Sequence, residues 1–335
     1  MKRVIVLAFA VLLSACAQMA VQKPLTPAPD FAGPRLEADR FVSFDGARLG
    51  LSSWKPAGEP RAVIVGVHGM DDYANAFHLA APYWASQGIA TYAYDQRGFG
   101  RSPQRGIWAG DALMTEDLRT IVALVRARYP HAVIAVAGES LGGAVAIEAF
   151  ASGRPPAADR LVLLAPAVWG WSSQPLAYRI ALNIAARLSP AKTLDPPSFV
   201  TDHISPSDNT EELIAMGRDP LMLWGARPDA LYGLVDTMEH GWREIGAVKT
   251  PTLYLLGAKD QIIPREPALQ AAHRLRAGDR TAYYAQGWHL LMRDKQGPKV
   301  WADVAAFVRD PAAPLPSGAP PIAGTGGLVS ASAAR

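Results

Sequence analysis

The stretch VIAVAGESLGGAVAIEAF, residues 133–150, breaks a run of apolar residues with Gly138-Glu139-Ser140-Leu141-Gly142 and then resumes with helix-like spacing. At a strand-to-helix turn the pattern G-x-S-x-G holds its serine in a strained backbone, with the hydroxyl at the C-terminal edge of a sheet. The helix N-terminus behind it favours developing negative charge. A serine hydroxyl is a poor nucleophile at neutral pH and needs a base. Of the seven histidines, His289 follows the last strand expected, in TAYYAQGWHLL, on a loop at the same sheet edge as Ser140. His68 belongs to a different loop, and His78, His131, His203, His240 and His273 fall in helices, linkers or an insertion. The base needs an acid that fixes its tautomer and stabilises the imidazolium. Asp260, in YLLGAKDQIIP after another strand, meets that need better than it meets the competing role of capping the helix near Arg265. A tetrahedral oxyanion needs backbone donors. Leu141 N–H follows the serine directly, and Met70 N–H lies in the loop after VIVGVHG. Together these groups would perform nucleophilic acyl transfer.

Such groups must be held by a scaffold that brings several strand ends to one edge. RAVIVGVHG (61–69), IATYAYD (89–95), HAVIAVAGES (131–140), RLVLLAP (160–166), PTLYLLG (251–257) and RTAYYAQG (280–287) read as strands buried on both faces, because they are nearly continuous apolar runs. Helix-length segments lie between most of them. One is TEDLRTIVALVRARY, with Thr115 as N-cap and Leu118, Ile121, Val122 and Val125 as its apolar face. Alternating β and α predicts a mostly parallel sheet with helices on both faces. Residues 41–56 predict an antiparallel hairpin turning at Asp45-Gly46. The alternation fails between Pro166 and Lys249. There Leu176, Ile180, Ile184 and Leu188 line one face of a helix whose other face carries Arg179, Asn183 and Arg187. That stripe either packs on the core or forms a lid over an apolar pocket. Trp169, Trp171 and Trp224 in the same insertion either line an acyl channel or fill the core.

The 335 residues are half hydrophobic, with a formal charge of +3, or +1 once Lys2 and Arg3 are removed. No basic stripe suggests nucleic acid. The opening MKRVIVLAFAVLLSAC has a positive start and an apolar run from Val4 to Leu13. A bilayer span needs about 20 residues, so residues 1–15 read as an export signal. LSAC resembles a bacterial lipobox, which implies cleavage before Cys16, the only cysteine, and its lipidation. By the same resemblance, Ala17 and Gln18 in place of aspartate favour the periplasmic face of the outer membrane. A single mature cysteine allows no internal disulfide. Residues 16–38, rich in Pro, Ala and Gln, read as a tether, and residues 310–335 as a disordered tail. There is no HExxH motif and no Cys/His ligand spacing, so no metal or other cofactor is expected.

VHGM (67–70), YDQRGFGRS (94–102), GESLGGA (138–144), LLGAKDQIIP (255–264) and GWH (287–289) together resemble the α/β-hydrolase superfamily. Within it the chain is most similar to the monoacylglycerol lipase, lysophospholipase and serine aminopeptidase branch. The order Ser140, Asp260, His289 is that of the superfamily. The resemblance implies an α/β-hydrolase fold whose core is residues 39–166 and 248–309, with a helical cap at 167–247. It implies a Ser140/Asp260/His289 triad and oxyanion amides at Met70 and Leu141. The expected reaction is hydrolysis of carboxylic esters of monoacyl lipids by a monomer, anchored to the membrane at Cys16. Esterase, thioesterase or aminopeptidase activity on small soluble substrates is an alternative, as is a non-catalytic envelope lipoprotein that keeps the fold as a binding module. The departures are Phe99 and Glu139, where many members have histidine. Neither is a reacting residue, and the Glu139 side chain is expected beneath the elbow, in a supporting hydrogen bond or ion pair.

Overall fold

In a computed structural model, which describes residues 19–194 and 204–325, the first three strands are antiparallel. They are β1 (Arg35–Leu36), β2 (Arg40–Val42) and β3 (Arg48–Trp54). The last two form the hairpin expected around Asp45-Gly46. The six apolar runs then become β4 (Ala62–Val67), β5 (Ile89–Tyr94), β6 (Val133–Glu139), β7 (Arg160–Leu164), β8 (Thr252–Gly257) and β9 (Arg280–Tyr284). The nine strands form one sheet in the order β1-β2-β3-β5-β4-β6-β7-β8-β9, parallel from β5 onward. Because successive side chains of a strand point to opposite faces, Val63, Val65 and Val67 of β4 enter one core and Ala62 and Ile64 the other. Both faces must be covered, which is why the strands lack polar alternation.

Helices cover both faces. α1 (Ala80–Ser86), with Trp84, lies on one side. α2 (Asp111–Arg128) and α3 (Leu141–Ala151) lie on the other, where Leu118, Ile121, Val122 and Val125 are buried as their spacing requires. α2 begins a turn earlier than Thr115, after Gly110, so Thr115 is an interior residue rather than a cap. Between β7 and β8 come α4 (Leu176–Leu188), α5 (Thr210–Arg218) and α6 (Pro228–Glu244). α6 sends Val235 and Met238 into the core shared with α3. α7 (Arg265–Ala272) joins the α2/α3 side, and α8 (Gly297–Arg309) packs beside α1.

The α4 stripe does not pack on the core. Leu176, Ile180, Ile184 and Leu188 are 65%, 51%, 53% and 64% exposed, and only Ala186 of the helix is buried. Of the insertion's tryptophans, Trp171 donates to Asp236 Oδ1 and Trp169 packs edge-on against Tyr178, while Trp224 is exposed. None of the described helices is long and apolar enough to cross a membrane.

Both termini differ from expectation where they are described. Residues 19–38 form a strap along the body: Ala20 N–H donates to Asp229, Gln22 N–H to Trp108 O, and Leu25 N–H to Asp45. Residues 310–325 run along β9, with Tyr283 N–H donating to Pro320 O, Ile322 N–H donating to Thr281, and Ile322 buried. β9 is an edge strand, and this segment covers its open backbone. Apolar periodicity misses both segments because mainly backbone and carboxylate hydrogen bonds fix them. Residues 1–15, Cys16 and residues 326–335 lie outside the described residues.

Candidate active site

Ser140 stands between the end of β6 and the start of α3, at φ 51 and ψ −117, in the left-handed region that L-residues avoid. Four backbone bonds hold it there. Its N–H donates to Leu164 O at 3.0 Å, and its carbonyl accepts from Gly143 and Ala167 N–H at 2.9 Å each and from Ala144 N–H at 3.2 Å. The tightness explains two glycines of the motif. A Cβ on Gly142 would lie 2.1 Å from Val67 O, and one on Gly138 would lie 2.5 Å from Gly142 O. Both are distances that real Cβ atoms do not adopt.

The loop after β4 runs against the serine, close enough that a Cβ on Gly69 would lie 3.2 Å from Ser140 Cβ. His68 anchors this loop. Gln96 N–H donates to His68 Nε2 at 2.8 Å, so the ring proton is on Nδ1, which donates to Gly69 O at 2.7 Å. Burial pulls the His68 pKa down, against the charges of Asp72 and Asp95, and keeps the ring neutral. His68 is therefore a structural residue of the loop. Met70 and Leu141 N–H donate to no protein group among the described residues.

His289 and Asp260 come together from the loops after β9 and β8. His289 Nδ1 lies 2.9 Å from Asp260 Oδ2, and both side chains are almost wholly buried. Asp260 Oδ1 accepts from Ile262 and Ile263 N–H, which fixes the carboxylate plane. Burial alone would raise Asp260, but the His289 charge, their hydrogen bond and those two amides outweigh it and hold the carboxyl below its ordinary value. Burial alone would lower His289, but the Asp260 charge and hydrogen bond, with the Glu139 charge, outweigh it and raise the ring above 6.5. Ser140 Oγ makes no hydrogen bond among the described residues.

Glu139 is buried in an ion pair, as expected, but sequence patterns did not reveal its partners. Arg293, four residues after His289 and 2% exposed at its side chain, donates through Nη2 to Asp72 at 2.6 Å and to Glu139 at 3.0 Å. Glu139 thus sits in a buried ion cluster next to Ser140 in the chain. Asp294 supports the same loop, accepting from Trp288 N–H and from Ser207 Oγ. The only signal for these residues was their closeness in sequence to Met70, Ser140 and His289. A second buried cluster, Arg97 with Asp45 and Asp117, ties the β2–β3 turn to α2. Asp95 gathers Arg101, Ala74 N–H and Arg101 N–H, so the 95–102 turn is scaffold.

Among the described residues, one group could hold a cation. Asp111, Glu148 and His240 place a ligand atom each within 4.8 Å of the others. It lies about two helical turns along α3 from Ser140, and His240 Nδ1 is 3.0 Å from both carboxylates.

The model of the serine aminopeptidase S33 family matches residues 58–296. A monoacylglycerol lipase of Mycolicibacterium smegmatis is 28% identical over 80% of this chain and 95% of its own length. A monoglyceride lipase of Mus musculus is 25% identical over 86% of this chain and 95% of its own. Among solved structures, a soluble variant of monoglyceride lipase from Saccharomyces cerevisiae superposes with a TM-score of 0.68 at 16% identity. That likeness covers 85% of this chain and 98% of the yeast chain, and it shows the α/β-hydrolase fold. One family model spanning most of the chain, from β4 to the loop beyond His289, leaves no doubt of membership: the chain belongs to the serine aminopeptidase S33 family of α/β-hydrolases.

Proposed function

We propose that the protein is a serine carboxylic ester hydrolase acting on monoacyl lipids, monoacylglycerol or lysophospholipid. The observation that carries this reading is the His289–Asp260 pair at the sheet edge where the elbow holds Ser140. With Asp260 on Nδ1, the Nε2 atom of neutral His289 is the basic one. Ser140 Oγ attacks the ester carbonyl carbon as its proton passes to Nε2, and the carbonyl electrons move onto oxygen, held by Met70 and Leu141 N–H. Collapse of the intermediate breaks the bond to the alcohol, which leaves with the proton from His289. Water, deprotonated in turn by His289, attacks the acyl-enzyme and releases the acid and Ser140. Asp260 stays ionised throughout. The Ser140–His289 bond forms as substrate enters, the usual behaviour of catalytic hydrogen bonds.

Support for a lipid substrate comes from the lipases among the relatives and from the exposed apolar stripe of α4. In this reading residues 167–247 cap the site. Residues 1–15 direct export, and Cys16 carries a lipid that holds the enzyme at the periplasmic face of the outer membrane. The test is hydrolysis of p-nitrophenyl esters of increasing chain length beside monoacylglycerol and lysophospholipid. Monoacyl lipids should be turned over, and Ser140→Ala should lose about 10⁶ in kcat. Ester hydrolysis that survives in Ser140→Ala sinks the proposal.

A further inference from the structure

Residues 205–209, just before α5 in the insertion between β7 and β8, each bond to one of the two loops that carry Asp260 and His289. Ser205 N–H donates to the side chain of Gln261, next to Asp260, at 2.8 Å. Pro206 O accepts from Leu290 N–H at 2.9 Å. Ser207 Oγ donates to Asp294 Oδ1 at 2.8 Å. Asp208 Oδ1 accepts from Lys295 N–H at 2.9 Å, and Asn209 Nδ2 donates to Arg293 O at 2.9 Å. One short stretch of the insertion thus grips the loops that supply both members of the His289–Asp260 pair.

The contacts bracket His289. The residue before it, Trp288, donates its N–H to Asp294 Oδ2 at 2.7 Å, and the residue after it, Leu290, donates to Pro206 O. Asp294 is itself held from the insertion, because Ser207 occupies its other oxygen. Ser207 Oγ accepts from Asn209 N–H at 3.2 Å, which leaves its own proton for Asp294. Both side chains are buried, so water does not readily replace this bond. Without the hydroxyl, Asp294 Oδ1 keeps no donor among the described residues, and a buried acceptor left unpaired is costly. The carboxylate then turns toward another donor and takes the Trp288 peptide with it. Asp260 fixes only the Nδ1 side of the imidazole. Where Nε2 lies relative to Ser140 Oγ depends on the His289 backbone as well, and a misplacement of about 1 Å can cost about 10² in rate.

We propose that Ser207 is a positioning residue for His289: through Asp294 it sets the backbone from which the imidazole reaches Ser140. This role rests on the ester-hydrolase reading and deepens it. The insertion then does more than cover the site, because its residues 205–209 hold the base in register with the nucleophile.

The experiment measures hydrolysis of p-nitrophenyl acetate, whose short acyl group needs no lipid pocket, in wild type, Ser207→Ala and Ser43→Ala. The assay is run at pH 8, above the value of about 6 to which burial pushes Asp294, so that the carboxylate is charged. Ser43, after β2, is the control: its buried hydroxyl also donates to a buried aspartate, Asp117, but touches neither loop. In Ser207→Ala, kcat should fall by about 10–10² with KM nearly unchanged, the mark of a contact that acts in the transition state and not in binding. Labelling of Ser140 by a fluorophosphonate should slow by the same factor. Ser43→Ala should lose a similar amount in urea midpoint and keep the wild-type kcat. Wild-type kcat in folded Ser207→Ala, a rise in KM alone, or an equal loss of kcat in Ser43→Ala overturns the proposal. If Ser207→Ala does not fold, Asp208→Ala carries the test, since it frees the same loop at a partly exposed bond. Its kcat should fall several-fold at unchanged KM, and wild-type kcat there overturns the proposal too. If wild-type Ser140 takes no fluorophosphonate, the ester-hydrolase reading itself has failed. If it is labelled, and Ser207→Ala is labelled as fast, only the role of Ser207 has.

Discussion

Replacing Arg293 by methionine tests the ion cluster beside the Ser140 elbow. The substitution keeps most of the apolar stem and removes the guanidinium. What remains is Glu139, 0% exposed, and Asp72, 3% exposed, with no counter-charge from Arg293. Breaking a buried pair by removing one partner costs about 3–5 kcal/mol. Against a total stability of about 5–15 kcal/mol for a domain, that is about a fifth of the fold or more. Arg154 supplies the comparison: it pairs with Glu116 at 2.6 Å but is 73% exposed at its side chain, and such pairs are worth about 0–1 kcal/mol. Urea unfolding at pH 7, followed by tryptophan fluorescence, should show a large drop in midpoint for Arg293→Met and almost none for Arg154→Met. Adding Glu139→Gln to Arg293→Met removes one stranded charge. The double variant should therefore be more stable than the sum of the two single losses predicts, by about 0.5–3 kcal/mol. If Arg293→Met unfolds at the same urea concentration as Arg154→Met, or if the two losses simply add, Glu139 is not held in the way described.

Asp260→Asn should leave the fold intact and lower kcat by about 10⁴, by allowing the wrong His289 tautomer; a loss under tenfold in a p-nitrophenyl ester assay would contradict the pairing. Because the proposed mechanism needs neutral His289 and its pKa is raised, the acidic limb of kcat/KM should have its midpoint above 6.5, and a midpoint below that value would count against His289 as base. Burial and the Asp111 charge push Glu148 up to about 9, from 4.5 in the unfolded chain. Its contribution to stability is full below pH 4.5 and is lost as pH rises toward 9. Glu148→Gln should therefore melt higher than wild type at pH 8 and alike at pH 4, whereas an equal difference at both pH values would refute the assignment. Cys16→Ser should move the protein from the membrane to the soluble fraction of envelope preparations, and retention at the membrane would remove the proposed anchor.

Strand ends were legible because burial on both faces leaves a continuous apolar run, and the candidate reacting groups stood out because they follow those runs. Gly138-x-Ser140-x-Gly142, Asp260 and His289 are read from local pattern and chain order alone. What escaped was held by partners distant in sequence. Arg293 meets Glu139 across 154 residues and Asp72 across 221, and neither contact leaves a periodic trace. The strap at residues 19–38 and the segment at 310–325 escaped for a related reason: proline- and alanine-rich chain looks unable to fold, yet its backbone N–H groups donate to Asp45, Asp303 and Thr281, which fix it in place. The α4 stripe was recognised as amphipathic, but periodicity gives the face and not what covers it. Its exposure could be learned only from the three-dimensional arrangement.

The central claim is that Ser140 is a nucleophile activated by His289. Intact-protein mass spectrometry after treatment with a fluorophosphonate measures it directly. One adduct per chain, mapped to Ser140, absent in Ser140→Ala and formed much more slowly in His289→Ala, is the result this account predicts. Wild-type protein that gains no adduct while a control serine hydrolase reacts, or an adduct that persists in Ser140→Ala, would contradict it.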